Sequence, residues 1–124
     1  MTSFDDIGTI IDDIADELPE EFYIDLNGGI NLLPDIKIHP DSNERGNLFI
    51  MGEYHYQPRG LGRYINIYYG SFMQVYAYLK PVEQKEKLRK ILLHEFTHHL
   101  ESLGGERTLA IRDYYELMKY KDKY

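Results

Sequence analysis

The chain has 124 residues and a net charge of −7, from 14 basic and 21 acidic side chains. That length builds one domain around one core, so a single domain over residues 1–124 is expected, and the acidic balance argues against a nucleic-acid partner, which needs a basic footprint. No cysteine is present, which excludes disulfides, thiolate metal sites and cysteine nucleophiles and leaves His, Asp and Glu as the only strong metal ligands.

With 43% apolar and 28% charged residues, the composition is that of a soluble globular protein. No apolar run approaches the length of a membrane span or a signal-peptide core, so a cytoplasmic location without membrane contact is expected. Nothing in the sequence fixes the oligomeric state.

In chain order, Ser3 can cap a first helix, and Phe4, Ile7, Ile10, Ile11, Ile14 and Leu18 recur at helical spacing behind it. The acids that crowd this segment, from Asp5 to Asp25, read as its solvated face. Pro19 ends the helix or opens a short second one through Phe22 and Leu26, and Asn27-Gly28-Gly29 is a stop. Residues 30–38 hold an extended segment interrupted by Pro34, which predicts an edge strand. After a loop marked by Asp41-Ser42-Asn43 and Gly46, Asn47 to Tyr56 and Arg63 to Tyr69 read as strands rich in Tyr and Ile. The link from Gln57 to Gly62 is too long for a tight hairpin turn. Ser71 to Leu79 suits a short helix. Pro81 opens a long one that runs to about Leu103, where Gly104-Gly105 stops it. A last helix is expected from about Glu106 to Tyr120. The class is therefore α+β, with a short and mostly antiparallel sheet.

The chemistry is concentrated in His94-Glu95-Phe96-Thr97-His98. Histidines four apart on a helix share one face, with Cβ atoms about 6 Å apart, so both rings can reach one zinc ion. Glu95 lies roughly 100° around the helix, beside the metal rather than on it. There it can act as general base toward a water that zinc activates for attack on a peptide carbonyl. Leu88, Leu92, Phe96, Leu100 and Leu103 form an apolar stripe nearly opposite the two histidines. His99 falls within that stripe and reads as a hydrogen-bonded core residue. His39 and His55 receive no role.

A catalytic zinc site usually has three protein ligands and a water. Glu101 shares the histidine face but stands about 10 Å along the axis from His94, out of reach on a straight helix. Asp113 lies on the returning helix between Leu109 and Leu117, where an acid needs a partner, and it is the preferred third ligand or else a support for a histidine ring. Glu106, just after the Gly-Gly turn, is the alternative. One of the 12 tyrosines could stabilise an oxyanion, but the sequence singles none out.

On Leu18-Pro19-Glu20-Glu21-Phe22, Met51-Gly52-Glu53-Tyr54, Ile65-Asn66-Ile67-Tyr68 and, above all, Leu93-His94-Glu95-Phe96-Thr97-His98-His99, the chain resembles the minimal zincin-like metallopeptidases, a family of small bacterial proteins. The resemblance covers most of the chain. It implies a small zincin-like fold, a zinc ion held by His94 and His98, and Glu95 as base. It also carries a departure. The family pattern continues with Gly three residues after the second His and Asp three further on, where this chain has Glu101 and Gly104. The third ligand does not transfer directly; either Glu106 takes it up after a shift of one or two residues, or Asp113 does.

The expected function is zinc-dependent hydrolysis of a peptide or protein substrate, with the strand from Arg63 to Tyr69 aligning an extended peptide through main-chain hydrogen bonds. The alternative is a non-catalytic module that keeps a zincin scaffold to bind peptides or a partner protein. A third reading gives the metal a purely stabilising role.

Overall fold

The first helix, α1 (Phe4–Glu17), starts where its cap dictates. Ser3 Oγ accepts the Asp6 N–H and the Asp6 carboxylate accepts the Ser3 N–H, a reciprocal capping box. Its inward face is Ile7, Ile11 and Ile14. Pro19 then opens a single 3-10 turn, Glu20–Tyr23. The computed structural model describes residues 2–42, 48–104, 111–114 and 116–118. Within them follow β1 (Gly29–Leu33), β2 (Gly52–Gln57), β3 (Gly62–Tyr68), α2 (Tyr69–Tyr76) and α3 (Pro81–Ser102). Residues 111–114 and 116–118 are helical, within the segment expected as the last helix; the remainder of that segment lies outside the described residues.

The class is α+β, as expected. The sheet, however, is mixed rather than mostly antiparallel. Its order is β1-β3-β2. β1 runs parallel to β3, from Gly29 opposite Tyr64 to Leu33 opposite Tyr68. β2 runs antiparallel to β3, from Gly52 opposite Ile67 to Gln57 opposite Gly62. The reason is the path between β1 and β2, which carries the chain to the far side of the position β3 will fill. β1 and β2 run in opposite directions, so β3, entering between them, must run with one and against the other. β1 is the edge strand that Pro34 implied, ending one residue before it. The expected strand from Asn47 is shorter: Phe49 makes only an isolated bridge to Ile38, and the ladder starts at Gly52.

β3 passes directly into α2, and Gly70 makes this junction possible. A Cβ there would meet the carbonyl oxygens of Pro34 and Asp35 at 2.7 Å, which no side chain tolerates. α3 has Pro at its first position and ends where Gly104 adopts a φ of 112°.

Ile7, Ile11 and Ile14 of α1, Ile65 and Ile67 of β3, and Leu88, Leu92, Phe96 and Leu100 of α3 meet in one core. Phe22, fully buried, packs its ring 5.9 Å from Phe96 and 6.1 Å from Tyr114, tying the 3-10 turn to α3 and to the returning helical segment. Among the described residues no helix is long and apolar enough to cross a membrane.

Because Phe22 joins three elements that cannot collapse together without it, Phe22→Ala is expected to cost about 3–5 kcal/mol. The shift of the urea unfolding midpoint, followed by far-UV circular dichroism, measures this; a loss below about 1 kcal/mol would contradict the packing described.

Candidate metal centre

α3 buries Leu92, Phe96 and Leu100 completely or nearly so and turns His94 and His98 to solvent. The two rings stand edge to face, and their Nε2 atoms lie 3.2 Å apart. Two nitrogens bound to one tetrahedral zinc at 2.0–2.1 Å are about 3.3 Å from each other. The pair thus fits two corners of such a site without rearrangement, which is the test the residues themselves supply. On the other side of the His98 ring, Nδ1 lies 3.9 Å from the Glu101 carboxylate. Glu101 therefore sits behind His98 and not between the two Nε2 atoms.

Glu95 is the one member of the motif that is both buried and at the cleft, with 6% of its surface exposed. Burial raises its pKa; the charge of His98 opposes this and the charge of Glu53 adds to it. The carboxylate owes its place to Gly52. β2 comes so near to α3 there that a Cβ would lie 3.0 Å from Ile91 and 3.3 Å from the Cγ of Glu95.

Asp113 is not brought to the histidines. Ile111 is buried in the core and Tyr114 packs on Phe22, so the returning segment runs along the Phe96 side of α3, opposite His94 and His98, and Asp113 is exposed. An acid between apolar positions here faces outward because its neighbours at 111 and 114 are the ones that meet the core. Leu117 is itself about half exposed. Glu106 lies outside the described residues. Among the described residues no group of three His, Asp or Glu side chains is poised to hold a metal ion.

The histidines open onto a cleft of about 740 Å³ whose second wall is β2, through Gly52, Tyr54 and Tyr56. β3, the strand expected to align a peptide, cannot do so, since β1 and β2 occupy both its edges. The free edge belongs to β2. The Tyr68 N–H donates to the Met51 carbonyl at 2.8 Å, so odd-numbered β2 residues turn their amides and carbonyls toward β3. Gly52, Tyr54 and Tyr56 turn theirs away, and no strand of the described residues pairs with them. This wall was missed in the sequence. The available signal was burial on both faces of β3 (Tyr64, Ile65, Ile67 and Tyr68) against the more polar Gly-Glu-Tyr-His-Tyr-Gln of β2.

A line of hydrogen bonds braces that wall to α3. His99 is fully buried, as its place in the apolar stripe implied. Its Nε2 lies 2.7 Å from the Ile24 carbonyl oxygen, which can only accept, so Nε2 carries the proton. Nδ1 is then the acceptor for the Tyr54 hydroxyl at 2.9 Å, and that hydroxyl accepts in turn from Arg63 at 3.2 Å. Burial lowers the pKa of His99, in keeping with a neutral ring. The Tyr54 hydroxyl is thereby committed to these bonds. On the sheet's other face Glu53 binds Lys37 and receives the Tyr68 hydroxyl at 2.6 Å. Burial works to raise its pKa, but these two hydrogen bonds outweigh it and the net shift is downward. His55 stacks on Tyr64 and His39 accepts from the Asp41 N–H, so neither joins the cleft.

No protein-family model matches the chain, and no curated protein matches it significantly. Among solved structures it is similar to a conserved hypothetical protein from Thermo thermophilus, at 29% identity and a TM-score of 0.68, over 83% of this chain and 98% of that one. The α+β arrangement is thus that of an existing fold.

Two outcomes follow from the site. Tyr54→Phe leaves the buried Nδ1 of His99 without a donor and is expected to cost about 1–3 kcal/mol in urea unfolding; an unchanged midpoint would count against the hydrogen-bond line. The unfolded chain protonates His99 near its ordinary value of 6.5, while the fold holds it neutral. Stability of the metal-free protein should therefore fall as pH drops below about 6.5 and level off once the folded state also takes the proton. Unfolding midpoints between pH 8 and 5, compared with those of His99→Gln, measure this; equal slopes for the two proteins would refute it.

Proposed function

We propose that the protein is a zinc-dependent peptidase of the zincin type, acting on extended peptide segments, with Glu95 as general base. The observation that carries this reading is the 3.2 Å convergence of the His94 and His98 Nε2 atoms beside a buried carboxylate, in a cleft bordered by a free strand edge. When bound, zinc supplies Lewis acidity and brings the ionisation of a water near neutrality.

The chain's own residues do the rest. His94 and His98 hold the ion from the exposed face of α3. The outward amides and carbonyls of Gly52, Tyr54 and Tyr56 align a peptide as an added strand. A Glu95 carboxylate oxygen takes the proton of the attacking water and then delivers it to the departing amine, a double task that a raised pKa favours. A third ligand is part of the proposal: Glu106, the alternative named from the sequence, is preferred to Asp113, which is exposed beside the core contacts of Ile111 and Tyr114. The resemblance to minimal zincin-like metallopeptidases supports the same reading. A cytoplasmic setting is part of the same proposal.

The test is zinc stoichiometry by elemental analysis, joined to cleavage of a peptide library by the zinc-loaded protein. One zinc per chain is expected, lost in His94→Ala/His98→Ala. Glu95→Gln should keep the metal and lose at least about 100-fold in turnover, the scale of a general base. Undiminished turnover in Glu95→Gln would eliminate the assigned base. Binding of peptides without cleavage by the unaltered protein would replace the peptidase with a peptide-binding module.

A further inference from the structure

Arg63, at the start of β3 and opposite Tyr56 of β2, stands against Tyr54, Tyr56 and Ser102, which line the end of the cleft. Among the described residues its guanidinium is held by uncharged groups only. Nη1 donates to the hydroxyls of Tyr54 and Ser102, and Cζ lies 3.9 Å from the centre of the Tyr56 ring. Among the described residues none of the ion pairs includes it, and Nε and Nη2 make no hydrogen bond. Those two nitrogens are the side of the guanidinium that matches a carboxylate with two parallel hydrogen bonds. Tyr56 and Arg63 also border a smaller pocket of about 340 Å³, which Asn27 and Pro58 help to line. Asp25 lines it too and acts on Arg63 only through its field. Apart from the histidines and the two tyrosines, the ionisable groups that line the main cleft are the acids Glu53, Glu95 and Glu101, and Arg63 stands just beyond them behind Tyr54, Tyr56 and Ser102. A fixed cation at its end is therefore a feature in need of a partner.

We infer that Arg63 is a specificity-determining residue that receives the carboxylate of an acidic side chain in a peptide lying along β2. This rests on the reading of the cleft as a peptide site. Ser102 is one helical turn beyond His98, about 6 Å along α3, so Arg63 is roughly two extended residues from the metal-binding pair. Antiparallel addition to β2, the more stable pairing, directs the amino-terminal half of the peptide toward Tyr56. The recognised Glu or Asp thus lies on the amino-terminal side of the bond above the histidines. Its side chain reaches the small pocket, with the Tyr56 ring keeping the guanidinium flat and in place.

The probe is two pools of short fluorescent peptides, random in uncharged residues and identical except for one fixed Glu or Gln in the amino-terminal half. Binding to the full-length, zinc-loaded protein is read by fluorescence anisotropy, and cleavage is followed in the same samples. The Glu pool should bind at least about fivefold more tightly at low salt, with the difference shrinking as salt screens the charge. Arg63→Gln should abolish the difference and Arg63→Lys should keep part of it. Equal binding of the two pools by the unaltered protein, no binding of either, or an undiminished Glu preference in Arg63→Gln each overturns the inference. The first comparison needs no variant, so it decides even if Arg63→Gln folds poorly. An Arg63-dependent preference without cleavage leaves this inference standing and removes the peptidase. Cleavage without preference does the reverse.

Discussion

Burial of one side of α3 fixes the direction of the other. Leu92, Phe96 and Leu100 are locked between α1, β3 and the 3-10 turn, and a helix has no freedom to rotate once such a stripe is packed. His94 and His98 therefore point outward with their Nε2 atoms already converged. The cost of arranging two long side chains around an ion is largely met by folding, because neither backbone nor helix phase needs to change when a metal arrives. The same packing leaves Glu95, a quarter turn away, at the boundary between core and cleft, where burial lifts its pKa.

The second wall depends on a missing side chain. Gly52 brings β2 within van der Waals contact of Ile91 and Glu95, so the free strand edge and the histidines border one cleft. Further along, His99, Tyr54 and Arg63 form a hydrogen-bonded chain that runs from the Ile24 carbonyl to the cleft's end. One histidine of the His98-His99 pair thus serves the surface and the other the interior. The difference of about 100° between successive helical positions is enough to separate the two roles.

Local patterns were legible wherever a residue's neighbours in sequence decide its fate. The Ser3 cap, the helical spacing of Ile7, Ile11 and Ile14, the strand break before Pro34 and the stop at Gly104 all depend on contacts within a few residues, and each stands where expected. The same holds for the pairing of His94 with His98 and for the inward turn of His99. Asp113 shows the limit. Its apolar neighbours implied an inward face, but a helical segment that carries Ile111, Tyr114 and Leu117 has more than one face it can bury, and the contact of Tyr114 with Phe22 selects the one that leaves Asp113 exposed.

The sequence by itself determined the helix that carries the motif and which of its residues share a face, because a helix is a one-dimensional lattice with a fixed period. It also determined that any metal site must be built from imidazole and carboxylate. Tertiary structure alone decided the strand order, and with it that β2 rather than β3 offers a free edge. It alone placed Arg63 beside Tyr56 and Ser102 and gave Gly52 its purpose. Those outcomes depend on which segments meet across long stretches of chain, and strand alternation is the same whichever neighbour a strand acquires.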